Sequence, residues 1–217
     1  MMHSLRPLSL GIGILILTLT ASTLLGQGTQ PRITFSKTLK GSTPEYFALK
    51  IDAQGKGTYD AHKVDDPPAP RPLQISERTT GQIFSLAHAL NDFRSDLDSH
   101  RKVADMGMKT FVYEGAGPSH TVRFNYSENR LAQQLADLME KIGNVEERIA
   151  QLEYAMKYDH LNLPQLLAQI AYGLENGYFV EADLMLPTLG RIAKDPRYLH
   201  LAQSRARECE ERIRKGK

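Results

Sequence analysis

Apolar positions along this chain recur with different spacings, and each spacing predicts a different element. An apolar run over residues 8–19 follows the single charge of Arg6 and precedes small and polar residues at 20–28. That order is a secretory signal peptide's, and the run is shorter than the ~20 residues a bilayer span needs. Between residues 33 and 126 the spacing is two. Phe47, Leu49 and Ile51 alternate with other residues, as do Val122, Phe124 and Tyr126, which places each set on one face of a strand. Strands are predicted at 33–39, 47–51 and 58–62 as a meander, with Gly55 and Gly57 supplying the turn angles. Two more are predicted at 108–114 and 120–126, joined by Gly115-Ala116-Gly117-Pro118-Ser119. Ile83, Phe84, Leu86, Ala87 and Leu90 have helical spacing behind Ser76, a residue suited to an N-cap, so one helix is predicted to lie across the sheet. Residues 65–72 hold Pro67, Pro68, Pro70 and Pro72 and read as a surface loop, because each proline lacks a backbone donor.

From Asn129 the spacing alternates between four and three. Leu131, Leu135, Leu138, Ile142, Val145, Ile149, Leu152 and Met156 form a heptad seam on one long helix that ends near His160. In a parallel homodimer Lys141 would face Glu146 and Arg148 would face Glu153, both attractive pairs. The preferred expectation is that the chain's own C-terminal helices bury the seam. Pro164 suits the first turn of a helix ending at Glu175 before Asn176-Gly177. Pro187 is expected to break or kink the next helical stretch, and Asp195-Pro196 to start a final helix over 197–215. Leu166, Leu167, Ile170, Leu174, Leu184, Leu189, Ile192, Leu199 and Leu201 are the residues expected to cover the seam. Arg205, Arg207, Arg212 and Arg214 should lie on a solvated face.

The fold class this predicts is α+β: a small antiparallel β-sheet with one crossing helix, followed by a long helix and a C-terminal helical region. Residues 1–28 are read as a signal peptide or N-terminal anchor, 29–127 as a β-rich α+β module, 128–160 as the long amphipathic helix and 161–217 as a helical hairpin region. Cleavage near Thr29 would leave the mature protein periplasmic or secreted. No cysteine follows the apolar run, which argues against a lipid anchor, and membrane attachment is expected only if the N-terminal segment stays uncleaved.

Lysine and arginine number 27 against 25 aspartates and glutamates, a net charge of +2. So balanced a chain offers no electrostatic case for nucleic acid. Its one cysteine, Cys209, rules out an internal disulfide. It reads as a half-buried helix cysteine in preference to a bridge between chains.

The sequence lacks a G-x-S-x-G elbow, an H-E-x-x-H pair, a phosphate-binding glycine loop and paired-cysteine spacing. No catalytic residue is assigned and no cofactor is expected. Asp96, Asp98, His100 and Asp105 form the most polar cluster. It lacks the glycine and later glutamate of a calcium loop, and Arg94, Arg101 and Lys102 are expected to pair with its acids, so no metal site is assigned. His62, His88, His120, His160 and His200 are dispersed without metal-ligand spacing.

The pattern Phe47-x-Leu49-x-Ile51-x-x-x-Gly55-x-Gly57-x-Tyr59 behind Thr43-Pro44 resembles the hairpin of an uncharacterised bacterial exported-protein family, without that family's usual cysteines. Residues 33–160 also resemble secreted proteins of soil bacteria, most distinctively at Tyr154-Ala155-Met156-Lys157-Tyr158-Asp159-His160. Neither resemblance implies an activity. Residues 166–196 are similar in outline to one tetratricopeptide helix pair, with Ala182 at its small position and Pro196 near its end.

Two functions follow as expectations. The preferred one is an exported, non-catalytic envelope protein that binds another protein, or a second copy of itself, through the helical region. The alternative is a small-ligand-binding protein or hydrolase with its site over the sheet near Tyr113, His120 and Tyr126.

Overall fold

A computed structural model describes residues 30–216. The leader expected over 1–28 lies outside the described residues. Six strands form one antiparallel sheet: β1 (Arg32–Thr38), β2 (Tyr46–Asp52), β3 (Lys56–His62), β4 (Arg71–Gln74), β5 (Met108–Glu114) and β6 (His120–Phe124), in the order β4-β3-β2-β1-β5-β6. Alternation sets the register. Tyr59, Leu49, Phe35, Phe111 and Val122 are opposite one another across five strands and face the same side. The predicted meander and β5–β6 pair are present. The proline-rich segment differs from expectation, since Arg71-Pro72 belongs to β4. This strand lies at the sheet's edge, where a residue without an N–H is tolerated. Gly55 turns the chain at φ +78°, but Gly57 is needed for another reason: a Cβ there would overlap the Lys50 carbonyl oxygen on β2.

Helix α1 (Glu77–Ala89) starts at Ser76, whose hydroxyl accepts from Thr79 N. Asn91, Asp92 and Phe93 then take left-handed angles, φ 53°, 51° and 63°. Such angles cost ~1–2 kcal/mol per residue. What offsets them is burial of Phe93, stacked on Phe111 at 5.0 Å between ring centroids.

Helix α2 (Arg130–Tyr158) is 29 residues long, about 44 Å. Asn129 caps it by accepting from Leu131 N and Ala132 N. Its first half lies on the sheet beside α1, with Leu135, Leu138, Met139 and Ile142 buried against Ile33, Phe35, Leu49 and Ile83. The sheet is therefore covered by two helices, not by α1 alone. From Val145 the same helix enters a second core with α3 (Leu163–Glu175), α4 (Leu186–Lys194) and α5 (His200–Lys215). The heptad seam is thus buried within the chain, half by the sheet and half by C-terminal helices. Its charged flanks are also used internally: Lys141 pairs with Asp137, Glu146 with Arg71, and Glu153 with Arg71 and Arg191. The apolar positions that a parallel dimer would use are thus occupied within the one chain.

The C-terminal region departs from the sequence reading in three ways. Pro187 stands in the first turn of α4 and starts that helix rather than breaking it. The last helix begins at His200, because Asp195 accepts from Arg197 N and holds the Arg197 guanidinium, closing a turn first. In place of a two-helix pair, α5 packs on both α3 and α4, burying Ala202, Ala206, Cys209 and Ile213 and leaving Leu199 and Leu201 exposed.

Two polar contacts join the cores. Glu181, at φ 66°, accepts from Ser76 N at 3.1 Å and from the hydroxyls of Ser76 and Thr79, placing a carboxylate at the N-terminus of α1. Arg71 on β4 reaches the buried Glu146 of α2 at 3.4 Å.

Candidate functional site

The side of α2 and α3 turned away from the second core carries a groove of about 570 Å³. Asn144, Glu147 and Arg148 form one wall, Gln165, Ala168, Gln169 and Tyr172 the other, and Tyr178 and Phe179 close one end. Three local features hold that end. Gly177, at φ +67°, reverses the chain after α3. Tyr178 N then donates to Gly173 O at 2.9 Å, and the Asn144 amide donates to Tyr178 O at 3.3 Å. At Gly173 a Cβ would overlap the Phe179 ring, so only glycine lets this segment lie against α3. The Tyr178 ring is thereby set beside Tyr172, centroids 6.0 Å apart and planes at 68°.

The groove is lined by polar groups that already bond one another. Arg148 donates to the amide oxygens of Gln151 at 2.6 Å and Gln169 at 3.0 Å, spanning the two helices. Glu147 accepts from the Gln151 amide at 2.7 Å, and its burial holds its carboxyl above the usual range. Toward the other end of the hairpin Tyr154 and Tyr158 are each 63% exposed and Leu161 79%. The Tyr154 and Tyr158 rings are 5.0 Å apart, with the Lys157 ammonium 4.8 Å from the Tyr158 ring.

The alternative site is only partly assembled. Tyr113 and His120 are cross-strand partners at one end of β5 and β6. Tyr126 lies six residues beyond His120, past the end of β6 at Phe124. Three residues that sequence reasoning left out join the pair. His88 Nδ1 is 2.6 Å from Asp92 Oδ1, Arg94 Nε donates to His120 Nε2 at 3.1 Å, and the His88 ring meets Tyr113 edge-on at 5.9 Å. Partial burial raises the Tyr113 phenol above its usual value. A histidine beside a carboxylate can take a proton. Here, however, His88 and Arg94 are more than half exposed, and the sheet beneath is filled by Phe111, Val122 and Phe124. Asn91 and Asp92 are types that tolerate left-handed angles, but the turn that brings Asp92 round also needs Phe93, a residue that normally avoids them.

The acids at 96–105 serve the backbone. Asp96 accepts from Asp98 N and lies 2.6 Å from His100 Nε2, Asp98 accepts from His100 N and Asn125 N, and Asp105 accepts from Gly107 N. The expected pairing with neighbouring cations does not form: Arg94 turns to Asp92 and Arg101 to Glu128. Among the described residues no cluster of histidine, cysteine, aspartate and glutamate is arranged to hold a metal ion. The arginines of α5 also have internal partners, Arg205 donating to Pro164 O, Arg207 to Ala193 O, and Arg212 reaching Glu175 and Glu208. Cys209 is fully buried, not half-buried, and its thiol is pushed up to about 11 by desolvation. No helix among the described residues is long and apolar enough to cross a membrane. Compared with known proteins, the chain matches no family model and no curated sequence.

Proposed function

We propose that this chain is an exported, non-catalytic envelope protein that binds a protein partner through the outer face of the α2–α3 hairpin. One observation carries the reading: Tyr154, Tyr158, Leu161, Tyr172 and Tyr178 are large and exposed, and all lie on α2, α3 or their immediate connections. Tyrosine is enriched where proteins meet, since its ring gives contact area at little entropic cost and its hydroxyl tolerates water. The groove between Tyr172 and Tyr178 adds a recess in which a partner's side chain can be desolvated. A photo-crosslinking residue placed at Tyr158 or Tyr172 should capture a defined partner in the envelope, while the same residue at Thr121 on the far face of the sheet should not. Equal capture from both faces refutes the proposal.

A second reading has support from the His88–Asp92 contact beside Tyr113 and His120, which is the form a small-ligand or hydrolytic site at the sheet's rim would take. Titrating His88 by proton NMR, with and without candidate small anions, tests it. Unchanged imidazole shifts count against it.

A further inference from the structure

We propose that a polar cavity between the sheet and the middle of α2 binds a primary ammonium ion on a short alkyl chain, held by the Glu147 carboxylate and the Tyr59 hydroxyl. This is a small-molecule site, independent of any protein partner on the α2–α3 face.

The cavity, about 150 Å³, lies where β1, β2 and β3 meet α2 beneath the turn between β1 and β2. That is room for about five waters at ~30 Å³ each. Its charges do not balance: Glu45, Glu140 and Glu147 line it against one cation, Lys37. Two of the acids are already served. Lys37 Nζ donates to Glu140 at 2.7 Å, and Glu45 accepts from Gly41 N and Val64 N. Glu147 has less. One of its oxygens accepts from the Gln151 amide at 2.7 Å, and among the described residues the other accepts from no group and no cation pairs with it. Arg148, the next residue, spends its guanidinium on the amide oxygens of Gln151 and Gln169. Burial holds the Glu147 carboxyl above its ordinary value, so a cation brought beside it is attracted and stabilises its charged form.

A second, independent observation comes from the opposite wall. Tyr59 on β3 is 2% exposed, lines the cavity, and its phenol oxygen takes part in no hydrogen bond among the described residues. Neighbouring atoms do not seal that oxygen off, so the space it meets is the cavity. Of the charged side chains around it, Glu147 acts on it most strongly. Buried hydroxyls are rarely left without a partner. Here a phenol and a carboxylate oxygen, both unfilled, face one space without bonding each other.

A primary ammonium ion matches this wall. It has three N–H donors, and three acceptors are open to it: the free Glu147 oxygen, Tyr59 Oη, and the Asn144 amide oxygen, whose nitrogen is spent on Tyr178 O. Phe47 supplies an apolar side, its ring centroid 6.3 Å from that of Tyr59. Aromatic faces attract cations and pack against alkyl chains. A Cβ at Gly143 would come 2.9 Å from the Phe47 ring, so glycine there lets α2 lie on that side of the cavity. The acids are not grouped closely enough to hold a metal ion. Their excess of negative charge rejects an anion, which leaves an organic cation that donates hydrogen bonds.

Calorimetric titration of the full chain with n-butylammonium chloride at pH 7 tests the proposal, with butan-1-ol and sodium chloride as controls. Saturable binding of butylammonium at one site is expected, and none of either control. Glu147→Gln should weaken it about tenfold or more, and Tyr59→Phe about threefold. Neither change removes a contact that holds the fold, because the Tyr59 hydroxyl is unpaired and glutamine keeps an acceptor for Gln151. Thermal midpoints of both variants should therefore be no lower than that of the native chain. In the native chain, nuclear Overhauser contacts should join the butyl protons to the rings of Phe47 and Tyr59, a readout that needs no variant. Absence of butylammonium binding, equal binding of butan-1-ol, unchanged affinity in either folded variant, or ring contacts elsewhere than Phe47 and Tyr59 overturns the inference.

Discussion

Arg71 reaches from the edge strand β4 to Glu146 in the middle of α2, and replacing it with methionine separates the charge from the packing. Methionine keeps much of the aliphatic stem but gives up the guanidinium, whose carbon lies 5.5 Å from the Tyr59 ring centroid, and leaves the Glu146 carboxylate, 9% exposed in its side chain, without its cation. At 3.4 Å and an effective dielectric of ~20 the attraction is about 5 kcal/mol. Solvent on Arg71, 35% exposed, weakens it. Removing one partner from a well-buried pair costs ~3–5 kcal/mol, so a half-exposed arginine should cost about 2–3 kcal/mol. The pH dependence gives a second signature. Desolvation already holds the Glu146 carboxyl above its ordinary value in spite of Arg71. Over the interval between the unfolded and folded pKa the folded chain then binds more protons than the unfolded one. Stability is complete below the unfolded pKa and is lost as pH rises through the folded one. Arg71→Met should raise the folded pKa further, so urea midpoints for this variant should fall more steeply than those of the native chain as pH rises above the ordinary carboxylate range. Glu146→Gln on the same background should restore most of the loss at pH 7. An Arg71→Met protein as stable as the native one at pH 7, or one that Glu146→Gln does not rescue, would refute the argument that this pair is what satisfies the buried carboxylate.

Three further outcomes follow from the packing. Ile142→Asp should unfold the monomer, at a cost of about 4 kcal/mol or more, because Ile142 sits fully buried between sheet and helices; a folded monomer released from a dimer would contradict it in sedimentation. Cys209 should resist a thiol reagent in the native state and react on unfolding. Its raised pKa also means that native stability is retained below the ordinary thiol range and lost as pH climbs toward about 11. Gly173→Val should cost about 1–3 kcal/mol by driving a side chain into Phe179, seen as a lowered thermal midpoint, and an unchanged midpoint would show that the 178–179 segment is not anchored there.

Much of the secondary structure is local and could be read without coordinates. Alternation of Phe47, Leu49 and Ile51 fixes which face of β2 is inward, Ser76 marks the start of α1, and the four-and-three spacing from Leu131 to Met156 defines one long helix. Such signals depend on neighbours within a few residues, and the α+β class follows from their order. What covers a given stripe is a different matter, for period alone does not name a partner. The same heptad pattern serves a dimer, a sheet or a helical bundle. The structure divides it between two of these, with Ile142 on the sheet side and Val145 on the helical side. The candidate sites were the least legible. His88, Asp92, Arg94, Tyr113 and His120 come from three separate stretches and are brought together by a run of three left-handed residues that includes Phe93, a type that disfavours such angles. Tyr172 and Tyr178 are near in sequence, yet their pairing depends on Gly173 meeting Phe179 and on Asn144 from another helix. Periodicity in the sequence determined the elements and their apolar faces. Only long-range packing, where burial of Phe93 or close approach at Gly173 outweighs local preference, decided which side chains were left outside to form a surface.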